Sequence, residues 1–175
     1  LNAMANATGG LKTEKEVHIK SGTYTMGNNL IVGDIAYQIS MSGTDNTYVS
    51  ALTVNGSYNE SGIQDFGQPT VLTGSNGNND VTLLSVATNG KPVNISGLSF
   101  QEAKIGLNAT TLGNGKLTLK NSAFRKTGEF GMKISDAANE GALIANTLFA
   151  DGETGLNVVS GSQVKVVNAT FANNN

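Results

Sequence analysis

Apolar and polar residues alternate along this chain in a phrase that occurs four times. Val93-Asn94-Ile95-Ser96-Gly97-Leu98-Ser99-Phe100 runs apolar, polar, apolar, polar, a corner residue, two further positions, then Phe. The segments Leu117 to Phe124, Ala142 to Phe149 and Val164 to Phe171 repeat it. Their corner residues, Gly97, Asn121, Asn146 and Asn168, are 24, 25 and 22 residues apart. A period of two marks a strand with one buried face. A fixed repeat of this length, built from such strands, marks a solenoid. A second phrase of Gly, apolar, polar, apolar follows nine or ten residues behind each corner: Gly106 to Ala109, Gly131 to Ile134 and Gly155 to Val158. Each rung is therefore expected to hold three short strands. The fold class that follows is all-β, a single-stranded parallel β-helix of about 6–7 rungs, on the order of 30 Å long at the usual strand spacing.

The same alternation assigns the core. Val93, Ile95, Leu98 and Phe100 face inward, with Leu117, Leu119 and Phe124, then Ile144 and Phe149, then Val164, Val166 and Phe171. Phe100, Phe124, Phe149 and Phe171 are expected to stack along the axis, with Tyr24 in the equivalent place of the first rung. An aromatic stripe can also be a sugar platform, but this one shares its parity with the aliphatic core. The corners need a backbone that bends sharply, which Asn tolerates and Gly tolerates better. Stacked Asn amides can also hydrogen-bond from rung to rung. Gly97, Asn121, Asn146 and Asn168 thus read as a structural ladder.

Residues 1–175 read as one β-helix domain, cut from a longer chain. Leu1 to Ala7 carry a helix-like apolar spacing that ends before Gly9-Gly10, and a short helix within residues 1–14 would cap the open end of the solenoid, the alternative being a frayed terminus. Val17 to Tyr24 forms the first rung phrase, with Ser21 at the corner. Segments 58–69 and 75–80 are polar and turn-rich and read as loop insertions.

Composition narrows the function. Hydrophobic residues are only 38% and Gly numbers 22, a balance that can signal disorder. The regular repeat argues against disorder, because a solenoid core is a narrow column. Net charge is −2 and the lysines are scattered apart from Lys12, Lys15 and Lys20, so no basic stripe for nucleic acid exists. There is no cysteine, hence no disulfide, thiolate metal site or Cys nucleophile. No apolar run reaches the ~18 residues of a membrane helix, so this segment does not insert in that way.

The rung phrases ending in Phe124, Phe149 and Phe171, with Lys20-Ser21-Gly22-Thr23-Tyr24, resemble the right-handed parallel β-helix of the pectin-lyase-like superfamily. Gly56-Ser57-Tyr58-Asn59, Pro69 to Gly74 and Val93 to Leu98 are similar to β-helix repeat proteins of bacterial cell surfaces and secretions. Those usually carry Gly-Gly-Tyr-Asp or Gly-Gly-Tyr-Asn and Leu-Asp-Gly; Ser57 and Thr73 depart from that pattern. The resemblance concerns rung geometry and so bears on fold far more than on activity. It implies an extracellular or cell-surface location.

Lyases of that superfamily use Ca²⁺ on clustered carboxylates with an Arg or Lys base, and its hydrolases use grouped aspartates. The outward face of the Gly-led strands, where such sites lie, offers Asn108, Thr110, Lys133, Ser135 and Asn157 but no aspartate. Glu129 and Glu153 flank two of these strands, with Lys104 at the third equivalent position. A carboxylate pair on adjacent rungs suits a glycosidase, although solvated turn residues are the plainer reading. Lys133 serves as a base only if burial lowers its pKa. Arg125, the single arginine, points outward toward solvent, Glu102 or Asp151. His18, the single histidine, has no His or Cys companion and reads as a surface residue, which leaves no Ser-His-Asp triad. Gly74 to Asp80 superficially resembles a Ca²⁺-binding nonapeptide, but its spacing is off by one and it stands alone. Glycosylation sequons, among them those at Asn59, Asn94, Asn108 and Asn168, are those expected by chance in an Asn-rich chain.

No catalytic residue, metal ligand or cofactor is therefore assigned. The candidate ligand-facing residues are Asn108, Lys133, Ser135, Asn157, Glu129 and Glu153. The leading expectation is a non-catalytic extracellular module, serving as stalk, adhesin or glycan-contacting surface, whose partner is a polysaccharide or a host or cell-surface glycan. The alternatives are a fragment of a polysaccharide lyase or glycoside hydrolase, and a segment of a trimeric phage-type spike.

Overall fold

The computed structural model describes residues 13–25, 35–40, 49–74, 80–88, 90–110, 116–135, 141–159 and 163–175. These residues form no helix. They form thirteen strands: β1 (Thr13–Lys20), β2 (Gly22–Thr25), β3 (Ile35–Ser40), β4 (Val49–Tyr58), β5 (Thr70–Thr73), β6 (Thr82–Ala87), β7 (Val93–Ser96), β8 (Leu98–Thr110), β9 (Leu117–Ile134), β10 (Ala142–Ala150), β11 (Thr154–Val158), β12 (Val164–Val167) and β13 (Thr170–Ala172). Every ladder between them is parallel, and each strand pairs with the strand one turn away. The chain is a parallel β-solenoid with three faces. The first stacks β1, β4, β7, the start of β9, the start of β10 and β12. The second stacks β2, β5, the start of β8, the middle of β9, the end of β10 and β13. The third stacks β3, β6 and the ends of β8 and β9, then β11.

The turns are unequal. Val17, Val54, Ile95, Leu119, Ile144 and Val166 succeed one another on the first face, at intervals of 37, 41, 24, 25 and 22 residues. Only about three turns have the short regular period, so the expected 6–7 regular rungs is an overcount. Dividing chain length by 24 ignores the long connections of the first two turns. Of the expected N-terminal cap, 1–12 lie outside the described residues, and Thr13 and Glu14 open β1. Tyr58 closes β4, residues 59–69 link it to β5, and 75–79 lie outside the described residues.

Alternation drives the packing. Val93, Ile95, Leu98, Phe100, Leu117, Leu119, Phe124, Ile144 and Phe149 are buried in one continuous column. Phe100, Phe124, Phe149 and Phe171 lie ring on ring, with centroids 4.8, 4.9 and 4.8 Å apart and planes within 7°. Two expectations fail at the ends. Tyr24 is not in the stack, because its partner on the next turn is Leu72, which itself lies under Phe100. Tyr24 is exposed and its hydroxyl donates to the Lys20 carbonyl at 3.2 Å. Val166 and Phe171 point toward the core axis but are 41% and 51% exposed, since no further rung among the described residues covers them.

The Gly-led strands answer the aromatic stack. A Cβ on Gly106 would lie 2.6 Å from Phe124 Cδ1, and one on Gly155 would lie 2.9 Å from Phe171 Cδ1. The glycines let the third face approach the rings, which is the close backbone contact that only a missing side chain permits.

Asn121, Asn146 and Asn168 take left-handed φ of 48°, 49° and 51°, in column with Gly97 at 68°. Asn168 Nδ2 donates to Asn146 Oδ1 at 3.3 Å, and Asn146 Nδ2 donates to Asn121 Oδ1 at 3.2 Å. The row ends there, as Gly97 has no side-chain amide to receive the next bond. Asn146→Ala removes both ladder bonds and leaves the left-handed corner to a residue that tolerates it less well than Asn, so it should lose about 1–2 kcal/mol. Asn146→Gly loses the bonds but relieves the backbone, and should lose less. Urea midpoints of the two variants check this; Gly and Ala falling together would remove backbone strain from the account.

A second left-handed corner stands two residues beyond each Phe, at Glu102 (φ 52°), Lys126 (53°), Asp151 (59°) and Asn173 (52°). Lys126 Nζ lies 3.6 Å from Glu102 Oε1, and Asn173 Nδ2 donates to Asp151 Oδ1 at 3.1 Å. Side-chain contacts along this column thus accompany a backbone conformation that L-residues rarely adopt.

Candidate functional site

On the third face the register brings three of the candidate residues into one row. Asn108 pairs with Lys133, and Lys133 with Asn157, on successive turns. Ser85 precedes them in the same column. Leu107, Met132 and Leu156 point the opposite way into the core, so the row faces outward because its neighbours are buried. Lys133 Nζ sits 5.6 Å from the centre of the Phe130 ring, a cation–π contact that steers the ammonium along the face. Asn108 Oδ1 is buried and accepts no hydrogen bond. An amide oxygen left in this state costs free energy until something donates to it.

The remaining candidates are placed differently. Ser135 follows β9, where its N–H donates to the Ala109 carbonyl at 2.9 Å and its hydroxyl approaches the same oxygen at 3.5 Å. Glu129 faces Lys104 at 3.9 Å, a half-exposed pair worth little in water. Glu153 is exposed, and its N–H donates to the Thr127 carbonyl. Among the described residues no three His, Asp or Glu side chains gather in a way that could hold a metal.

The first face holds a polar network that motif reading missed. His18 Nε2 lies 2.8 Å from Glu16 Oε1, and the imidazole stacks on Tyr58 at 4.0 Å and 10°. Asn55 Nδ2 donates to Glu16 Oε1 at 2.7 Å, and Ser96 Oγ donates to Asn55 Oδ1 at 2.6 Å. The hydrogen bond with His18, then that from Asn55, holds the Glu16 carboxyl below its ordinary pKa. Lys20 Nζ meets Glu60 Oε2 at 2.8 Å, and this hydrogen bond raises the ammonium's pKa. These contacts tie the first turn to the second and to the segment after β4. The only sequence signal for them is the polar parity of Glu16, His18, Asn55 and Ser96. Arg125 reaches Asp151 at 4.0 Å, while Glu102 belongs to Lys126.

Comparison with family models, with curated proteins and with solved structures finds no match to this chain.

Proposed function

We propose that this chain is a non-catalytic β-helix module of the right-handed, pectin-lyase-like kind, displayed on a bacterial surface or secreted, whose third face contacts a glycan. The observation that carries the reading is the in-register row Asn108, Lys133 and Asn157 on the outward side of the third face, with the Lys133 ammonium held near the Phe130 ring. Amides both donate and accept, and an ammonium donates three times, which matches the mixed demands of sugar hydroxyls. The half-buried Phe130 and Ile105 beside the row supply apolar surface for a sugar's C–H face. The strands fix the spacing of the row, so binding does not have to order it first. The row itself contains no carboxylate to act as acid or base, which supports contact rather than turnover.

The test is a glycan array probed with the wild-type chain and with Asn108→Ala, Lys133→Ala and Asn157→Ala. Lys133→Ala should weaken binding about tenfold, the scale of one charge-assisted hydrogen bond, and each Asn substitution by a smaller factor, the scale of a neutral one. Binding unchanged in the triple variant removes this face from consideration. Release of unsaturated or reducing ends from acidic or neutral polysaccharides at enzymatic rates would defeat the non-catalytic reading.

A further inference from the structure

The second face carries a half-open cleft of about 270 Å³ whose lining includes none of the third-face row. Ser99 and Ala123, paired on successive turns, form its small-residue floor. Phe66 and Pro69, from the segment between β4 and β5, line one side, and Gln101 and Arg125, again paired, line the other. Asn121 stands at the corner.

The segment that presents Phe66 is tied in place. Asn59 Oδ1 accepts the N–H groups of Ser61 and Ile63 at 3.0 Å, and Asp65 Oδ1 accepts that of Gly67 at 2.9 Å. Asp65 N–H donates to the Ser57 carbonyl at 2.6 Å, and Gln64 Nε2 donates to the Gly56 carbonyl at 3.0 Å. These Asx-type bonds fix the turn. The Phe66 ring lies over Gly97, its Cε1 3.2 Å from where a Cβ on that glycine would stand. Yet Phe66 is 51% exposed. The hydrogen-bonded loop thus holds an apolar ring at the rim of the cleft, accessible to whatever enters it.

The polar atoms then select the ligand. Ser57 Oγ donates to the Gly97 carbonyl, Ser122 Oγ to the Lys120 carbonyl, and Gln101 Nε2 to Ser99 Oγ. Two N–H donor groups on the lining remain open as well. Asn121 Nδ2 is the end of the asparagine ladder, with only a glycine beyond it. Arg125 has one described partner, Asp151 at 4.0 Å, against five N–H groups. The serine, Asn121 and Gln101 oxygens keep acceptor lone pairs, but the one charged group in the lining is the Arg125 guanidinium, which favours an anion over a neutral sugar. A carboxylate needs donors alone, and guanidinium is its geometric match.

We propose that this cleft binds an apolar carboxylate, its anionic end on Arg125 and Asn121 and its ring or alkyl body against Phe66 and Pro69. A free aryl acid and the C-terminus of a peptide ending in an apolar residue share that chemistry.

Calorimetric titration of the 175-residue chain with N-acetyl-phenylalanine, with its amide, and with Ac-Gly-Ala-Gly-Phe tests this. The acid should bind saturably, and the amide at least about tenfold more weakly, one charge-assisted contact. Arg125→Gln and Asn121→Gly, the latter sparing the left-handed backbone, should each cost a similar factor. Ala123→Phe fills the floor and should abolish binding, and circular dichroism establishes that each variant folds. Tighter binding of the peptide than of the single amino acid identifies a peptide C-terminus, and the reverse a free acid. The proposal is overturned if acid and amide bind alike, if neither acid nor peptide saturates, or if folded Arg125→Gln binds as wild type.

Discussion

Phe124→Ala should destabilise the fold by about 3–5 kcal/mol, the range for emptying a buried aromatic site, while Phe171→Ala should lose about 1 kcal/mol. Both residues occupy the same place in the repeated phrase. Their surroundings differ. Phe124 is stacked on both sides, with centroids 4.8 and 4.9 Å away, and is buried. Its removal forfeits the transfer energy of the ring, two offset contacts of roughly 0.5–1.5 kcal/mol each, and leaves a cavity. That cavity cannot close, because the strands above and below are held by the ladders of β8, β9 and β10. Phe171 has one ring neighbour and half its surface in solvent, so about half of a full burial term of 1.5–3 kcal/mol is at stake. Urea unfolding of both variants, with unchanged slopes, decides the matter. Equal losses would mean that the stack is not the core of the coil.

The solenoid was legible because three physical constraints fall on fixed positions. Inward packing demands the alternation of Val93 and Ile95, repeated in Leu117 and Leu119. The left-handed corner admits few residue types, hence Gly97, Asn121, Asn146 and Asn168. The approach of the third face to the rings excludes Cβ, hence Gly106, Gly131 and Gly155. Where all three coincide, from Val93 onward, the rungs can be read directly from the letters.

Where an insertion separates them, they cannot. Val54 and Leu72 belong to consecutive faces of the same turn, yet the chain runs from β4 through 59–69 before reaching β5. Tyr24 therefore looked like the head of an aromatic column, which Leu72 interrupts. The second corner stayed hidden for another reason. Glu102, Lys126, Asp151 and Asn173 share a backbone conformation but no residue type. They are exposed, so their side chains are free to differ, and pairing along the column takes the place of a common identity. The His18–Tyr58 stack depends on a register shift between β1 and β4, which no alternation pattern announces. On the third face, the row Asn108, Lys133 and Asn157 followed from parity alone. The cleft on the second face did not, because one of its walls comes from the irregular segment between β4 and β5.

Gly131→Ala is the sharpest test of how the three faces fit, and it should destabilise the coil by about 3 kcal/mol, the upper end of overpacking effects. Gly131 does not adopt positive φ, so its backbone conformation is open to alanine, and any loss is steric. A Cβ there would lie 2.5 Å from the Gly155 carbonyl oxygen, 3.0 Å from Phe149 Cδ1 and 3.1 Å from Phe124 Cβ. The ring can yield by a few tenths of an ångström. The carbonyl cannot, because it belongs to β11, whose parallel ladder with β9 fixes the distance between turns. Shrinking the ring should consequently fail as a remedy: Phe149→Leu added to Gly131→Ala should lower stability further rather than restore it. Gly128→Ala is the control on the same strand, since the nearest atom to its Cβ would be the Ala103 carbonyl oxygen at 3.9 Å. That variant should be neutral or gain up to about 1 kcal/mol from a less flexible unfolded chain. Thermal and urea midpoints that place Gly131→Ala beside Gly128→Ala would show that the third face tolerates a side chain under the rings. A wide separation between them, unrelieved by Phe149→Leu, would fix the cause as backbone meeting backbone across adjacent turns.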